Sequence, residues 1–218
     1  MQIAIVGGTG EEGIGLAVRF CGGGHRVVIG SRSAERAVAA AARVNEAVPD
    51  TVCGGATNDE AARAADIVLV AVPFAGLRET MERLREIVRE KLVVSVVVPM
   101  EFGQGGPRAA EVPEGSAAEL IRAVLGEGSR VVAGFQQLPA GELMRPDVMV
   151  EADVLVCGGS KEDRAAVMEL VRCIAGARAV DAGPLRMARY IEPITVLLVD
   201  INRRYRAHTS IRVTGLPG

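Results

Sequence analysis

Short apolar runs bounded by Gly or Asp alternate with longer, Ala-rich segments laced with charge. The runs are Ile3–Val6, Arg26–Ile29, Ile67–Val72, Leu92–Val98, Arg130–Gly134, Val154–Cys157 and Ala177–Val180. Unbroken apolar runs of this length suit strands buried on both faces. Between them, the segments near 13–23, 33–47, 58–64, 75–90, 116–126 and 161–174 predict helices, with Ser33, Asn58 and Ser160 placed as N-caps. Strand–helix alternation predicts a doubly wound α/β fold, its sheet mostly parallel and its crossovers right-handed.

Two stretches break the rhythm. Met100–Gly115 is rich in Gly and Pro and reads as a long connection, and loops of that size are disordered or functional. Arg186–Ala207 reads as one more helix, with Ile191, Ile194, Val196, Leu197, Leu198, Val199 and Ile201 as its apolar residues and Pro193 in its first turns or at a kink. It is expected to pack on the sheet or on a second subunit. No internal repeat is visible.

Composition narrows the function classes. Of 218 residues 49% are hydrophobic but only 3% aromatic, which describes an aliphatic α/β core. A net charge of −2, with both signs spread throughout, points to neither nucleic acid nor a membrane surface. No apolar stretch approaches the ~18 residues needed to span a bilayer. Cys21, Cys53, Cys157 and Cys173 are widely spaced and expected to be reduced thiols. With only His25 and His208, no metal site is expected. The chain runs directly into its first strand without a basic leader, and a cytoplasmic location is expected.

The chemistry begins after that strand. Gly8, Gly10 and Gly13 satisfy G-x-G-x-x-G between a strand and a helix. Gly8 is expected to permit the tight turn, Gly10 to let backbone approach a pyrophosphate, and Gly13 to let the helix pack closely. Helix N-terminal amides would then face the diphosphate. Glu11 and Glu12 sit awkwardly there, unless their side chains point to solvent. About 20 residues on, NAD-binding chains carry an acid for the ribose. This chain has Gly30-Ser31-Arg32-Ser33 instead, with Arg36 one helical turn further. Ser31 and Ser33 can donate to a 2′-phosphate, and Arg32 can bind it bidentately, so NADP(H) is the expected dinucleotide. The blander alternative is a capped helix with solvated arginines.

Two further strands end in Val72-Pro73-Phe74 and Val98-Pro99-Met100, at the edge where doubly wound sheets bind ligands. Phe74 and Met100 offer apolar walls to a nicotinamide, with a core role as the alternative. At this point the chain resembles a known family, the NADPH-dependent coenzyme F420 reductases. The likeness rests on Ile5-Val6-Gly7-Gly8-Thr9-Gly10, Gly30-Ser31-Arg32, Val93-Val94-Ser95, Val98-Pro99, Ser116-Ala117-Ala118-Glu119, Asp181-Ala182-Gly183-Pro184-Leu185, Asn202-Arg203-Arg204-Tyr205 and Gly215-Leu216. The Asp-Ala-Gly-Pro-Leu and Asn-Arg-Arg-Tyr elements are far more specific than the glycine fingerprint.

The resemblance implies hydride transfer between NADP(H) and the deazaflavin carbon C5. It implies Thr9, Gly10, Glu11, Glu12, Ser31, Arg32, Arg36, Phe74, Arg78, Met100 and Ala140 around NADP, and the deazaflavin against Phe135–Ala140, with Gln136, Leu138 and Pro139 lining its pocket. It also implies a homodimer closed by the C-terminal helices. The family pattern carries histidine where this chain has Gln136; glutamine retains a donor for a ring carbonyl. The expected organisation is therefore a Rossmann-type NADP-binding domain over residues 1–185, with residues 186–218 completing the acceptor site and the dimer contact.

Hydride transfer between two cofactors needs no covalent or general-base residue, because the cofactors carry the chemistry. The protein must hold donor and acceptor carbons about 3–3.5 Å apart and exclude water. Gly134, Ala140 and Pro99 are small enough for two rings to meet, and residues after Met100 are candidates for a cover. Two rivals remain. An NADPH-dependent reductase of a small carbonyl or imine would need a proton donor, and no Tyr-x-x-x-Lys pair exists, though Tyr190 or Asp200 could serve. A non-catalytic NADP sensor would need no walls for a second ring.

Overall fold

The computed structural model describes residues 1–216. In chain order the elements are β1 (Gln2–Val6), α1 (Glu11–Gly22), β2 (Arg26–Ser31), α2 (Ala34–Ala47), β3 (Cys53–Thr57), α3 (Asn58–Ala64), β4 (Ile67–Val70), α4 (Leu77–Leu84) and β5 (Leu92–Ser95). There follow β6 (Met100–Gly103), β7 (Gly106–Ala109), α5 (Ala117–Leu125), β8 (Arg130–Ala133), α6 (Ala140–Leu143), β9 (Asp153–Gly158), α7 (Lys161–Val171), β10 (Arg178–Gly183) and α8 (Ala188–Tyr205). Eight strands form one sheet in the order β10-β9-β8-β5-β4-β1-β2-β3. All neighbours run parallel except β8 and β9. The doubly wound, mostly parallel α/β fold read from the pattern is the fold observed.

Alternation along the strands builds two cores. Ile3 and Ile5 of β1 face one side with Ile14, Phe20 and Val44; Ala4 and Val6 face the other with Leu77, Met81 and Ile121. Helix α1 is the most enclosed of the crossovers. Its Ile14, Leu16, Val18 and Phe20 are shut from solvent, each worth about 1.5–3 kcal/mol relative to exposure.

Several expectations change. β3, Cys-Gly-Gly-Ala-Thr, was not read as a strand. Its Gly55 is required by packing, since a Cβ there would stand 2.4 Å from the Ala37 carbonyl carbon. The expected loop after Met100 opens as a β-hairpin, β6 against β7. The expected 75–90 helix holds only α4, and the 92–98 strand stops at Ser95. The short helix α6 had no forecast. Thr57, not Asn58, caps α3, in a reciprocal box with Glu60. Ser33 and Ser160 do cap α2 and α7.

Helix α8 carries Pro193 on an exposed position and buries Ala188, Ile191, Glu192 and Leu198. The tail beyond it returns to the sheet. The buried Asp153 accepts from Arg178 at 2.9 and 2.7 Å and from the Val213 amide at 2.6 Å, while its own amide donates to the Ile211 carbonyl at 2.8 Å. Of the segment 186–218, residues 217 and 218 lie outside the described residues.

Candidate active site

Five neighbouring strands, β2, β1, β4, β5 and β8, run parallel and end along one edge of the sheet. Strand spacing makes that row roughly 19 Å long. Residues from all the forecast segments follow these ends: Ser31 to Arg36 after β2, Gly7 to Gly13 after β1, Phe74 after β4, Met100 after β5 and Gln136 to Ala140 after β8. The chain's windings diverge between β1 and β4, the switch point where such sheets open a crevice.

The phosphate loop is built from close approaches. Gly7, not Gly8, takes the left-handed turn, at φ +71°, so the turn role moves by one residue. Gly8 is needed for space, because a Cβ would lie 2.7 Å from the Ile5 carbonyl oxygen. Gly13 packs on the loop itself, its Cβ position 2.5 Å from Gly8 Cα. Around the Gly10 Cβ position there is no atom within 4 Å, leaving open space where backbone would meet a ligand. Asn58 Oδ1 accepts from the Gly7 amide at 3.1 Å and fixes the loop.

The two acids part company. Glu11 is exposed, as expected. Glu12 turns inward: its Oε1 is shut from solvent with no partner, and burial pushes its carboxyl up to about 8. The solvent-facing expectation fails for this residue because the residue as a whole is only partly enclosed while its carboxyl end is sealed. At neutral pH the group is an uncharged acid, compatible with a nearby diphosphate.

At the end of β2, expected to face the ribose, Ser31 is buried and its Oγ accepts from the Ser33 amide at 3.3 Å. Arg32 and Arg36 are exposed, and among the described residues neither guanidinium has an ion pair. Ser33 takes the cap of α2. Arg78, by contrast, pairs with Glu114. Thr9, Phe74, Met100 and Ala140 are each half-buried at the edge.

The loop after β8, expected to seat the acceptor, is tightly held. Phe135 adopts φ +75°, unusual for a side chain of its size, and is fully buried. Gln136 and Gln137 are enclosed beneath α8. The Gln136 side-chain amide donates to the Ser95 carbonyl at 3.1 Å, and its backbone carbonyl accepts from Thr195 Oγ1 at 2.8 Å. Gln137 donates to the Ile191 carbonyl at 3.4 Å. Three buried atoms lack partners: Ser95 Oγ, Gln136 Oε1 and Gln137 Oε1. The Gln136 atom left over is therefore an acceptor, whereas the sequence suggested a donor. Leu138 and Pro139 are buried, and Ala140 opens α6.

Residues 2–99 match the family described as NADP oxidoreductase, coenzyme F420-dependent. The F420-dependent NADP reductase of Methanothermobacter thermautotrophicus is 41% identical over 223 residues, covering 100% of this chain and 96% of that protein. This chain belongs to the F420-dependent NADP reductase family. Another member, from Methanocaldococcus jannaschii, is 38% identical over 99% of both chains. A crystal structure from Arthrobacter sp. FB24, provisionally named an F420-dependent NADP-reductase, superposes with a TM-score of 0.81 at 23% identity, over 95% of this chain and 96% of that one. The pyrroline carboxylate reductase of Plasmodium falciparum, solved with NADP bound, gives 0.61 at 12% identity, over 94% and 62%. At those identities both speak for the fold alone.

Residues of this reductase that sequence reasoning passed over are Asn58 as a loop tether, Ser95, Gln137 and Thr195 beneath the acceptor loop, and Glu192. The Glu192 carboxylate accepts the Ala117 and Ala118 amides at 2.8 and 3.1 Å, closing the start of α5 from α8. No local signal marks such partners, which lie 41 or more positions away in the chain. Among the described residues no cluster of three or more His, Cys, Asp or Glu could hold a metal ion, and no helix is long and apolar enough to cross a membrane.

Proposed function

We propose that the chain transfers hydride between NADP(H) and the deazaflavin coenzyme F420. The observation that carries this is the single row of strand ends, with two unpaired guanidinium groups at one extremity and a sealed, partly unsatisfied amide loop at the other. Family membership over the whole chain supports the same pair of substrates.

Bound together, the two coenzymes supply the redox chemistry, one hydride passing between their rings with a solvent proton completing the reduced deazaflavin. The protein's part is binding and alignment. Arg32, Arg36, Ser31 and Ser33 grip the 2′-phosphate, which a carboxylate at the end of β2 would repel. Gly8, Thr9, Gly10 and the first amides of α1 take the diphosphate, where Glu12 stays neutral. Phe74 and Met100 flank the nicotinamide; Arg78 would reach the nucleotide after leaving Glu114. Gln136, Leu138, Pro139 and Ala140 would form the other ring's seat; Gln136 Oε1, unpartnered but enclosed, would accept a ring N–H once the loop exposes it. Gln136, enclosed beneath α8, keeps water from that side of the reacting carbons. No side chain serves as catalytic acid or nucleophile.

Residues from 186 onward complete the acceptor side through Thr195 and Ile191. The same helix leaves Tyr190 and Leu197 exposed, which supports pairing of two copies there. Four thiols without disulfides suit a cytoplasmic setting.

The deciding experiment mixes NADPH, oxidised F420 and protein and follows both absorbances. Loss of one NADPH for each deazaflavin reduced is expected. NADPH oxidation by a simple ketone or imine with no response from F420 would overturn the assignment.

A further inference from the structure

Arg19 lies on α1, six residues beyond the last glycine of the phosphate loop, and only 3% of it is exposed. Among the described residues it has no ion pair. Its guanidinium instead donates to five backbone carbonyls: Leu143 at 2.9 Å from Nε, Pro146 at 3.2 Å from Nη1, and Glu142, Arg145 and Val148 at 2.8, 2.7 and 2.8 Å from Nη2. All five belong to the end of α6 and the turns that follow it. A helix of four residues cannot sustain itself, and the local bonds of this segment, from the Arg145 amide to the Glu142 carbonyl at 3.1 Å and from the Val148 amide to the Arg145 carbonyl at 3.0 Å, leave its carbonyls short of donors. Arg19 supplies them from outside, and the planar fork suits several acceptors held at fixed angles.

Two neighbours on α1 reach the same region. Gly15 lets α6 approach so closely that a Cβ would stand 2.6 Å from Leu143 Cβ and 3.2 Å from the Ala140 carbonyl. The Phe20 ring meets Phe135 edge to face, centroids 5.7 Å apart at 76°. Phe135 is the residue held at φ +75°. One helix thus presents the phosphate loop at its start and grips the acceptor loop along its flank.

We propose that Arg19 is a positioning residue for hydride transfer, fixing Phe135–Ala140 at a set distance from the dinucleotide end of α1. This rests on the reading that the loop seats the deazaflavin. The carbonyls it holds begin two residues beyond Ala140, so slack there passes directly to Leu138 and Pro139. Sub-ångström alignment governs hydride transfer, and a misplacement near 1 Å costs up to about 100-fold.

Arg19→Lys keeps the charge and loses the fork; Gly15→Ala leaves Arg19 intact and wedges α6 outward. In each folded variant NADPH affinity without deazaflavin, read by nucleotide fluorescence, is expected within about twofold of the parent, while kcat with F420 falls at least tenfold. Amides 142–148 of the ligand-free Arg19→Lys protein should exchange faster with solvent deuterium, those of β1 and β4 unchanged. If Arg19→Lys fails to fold, Gly15→Ala carries the same test. An unchanged kcat, or an NADPH affinity lost in equal proportion, overturns the role. A parent protein inert toward F420 overturns the functional reading and this role together; an active parent beside unaffected variants overturns this role alone.

Discussion

A carboxyl group stands in the first turn of α1, the turn proposed to take a diphosphate. Burial resolves the conflict, because Glu12 is held up to about 8 and is neutral at pH 7. A raised carboxyl favours the folded state at low pH, and that contribution disappears as pH climbs through about 8. The charge that then appears opposes a neighbouring phosphate. NADPH affinity is expected to weaken roughly five- to tenfold between pH 7 and 9, and Glu12→Gln to flatten the profile. Matching profiles for the two proteins would contradict this. At the other end of the dinucleotide, Arg32→Asp removes a donor fork and installs a repelling charge. NADPH binding should fall at least about tenfold with NADH little affected, measured by titration of each; an unaltered preference would remove the basis for the 2′-phosphate assignment. These positions stand out in the chain because glycine, serine and arginine there suit the backbone geometry and the charge of the proposed ligand. The shift of the turn from Gly8 to Gly7 does not, since both glycines fit the pattern and only φ separates them.

Among the elements, those legible from sequence are the ones buried on both sides or along a clear stripe. β1, β4, β5 and β8 are apolar runs because helices cover both their faces. β3 escaped notice because α2 lies so near that Gly55 must be glycine, and a strand of small residues carries no hydrophobic pattern. The β6–β7 hairpin stands largely in solvent, with Phe102 exposed, so no alternation records it. α6 depends on Arg19, 123 positions away at the Glu142 carbonyl, and long-range bonds leave no local trace. The α5–α8 junction is of the same kind. There Glu192 is pushed up to about 7 by burial, against the two amides that favour its charged form. Its contribution to folding is complete below the ordinary value of 4.5 and is lost as pH rises through about 7. Glu192→Gln should therefore gain on the parent by about 2–3 kcal/mol between pH 5 and 8, read from thermal unfolding at both values. A gap that stays constant with pH would show that the carboxyl does not titrate in this range.

Across the whole molecule, direction of the strands separates labour. The segments proposed to face the ligands gather at one edge, and the reversal between β8 and β9 sends the Gly158–Ser160 turn to the other. That far edge also holds the connection from α5 to β8, where Glu127 and Gly128 are exposed and Gly128 turns at φ +85°. A polar insertion between Glu127 and Gly128 is expected to leave turnover within about twofold, since exposed loop tips tolerate added chain; a collapse of activity in a folded insertion protein would mean the two edges communicate.

The parallel run of β8 with its neighbours has a practical corollary for anyone coupling this catalyst to a surface. Tethered through the α5–β8 turn, the molecule would stand with its mouth toward the bulk liquid, so both coenzymes could come and go while the anchor bears the load on the opposite pole.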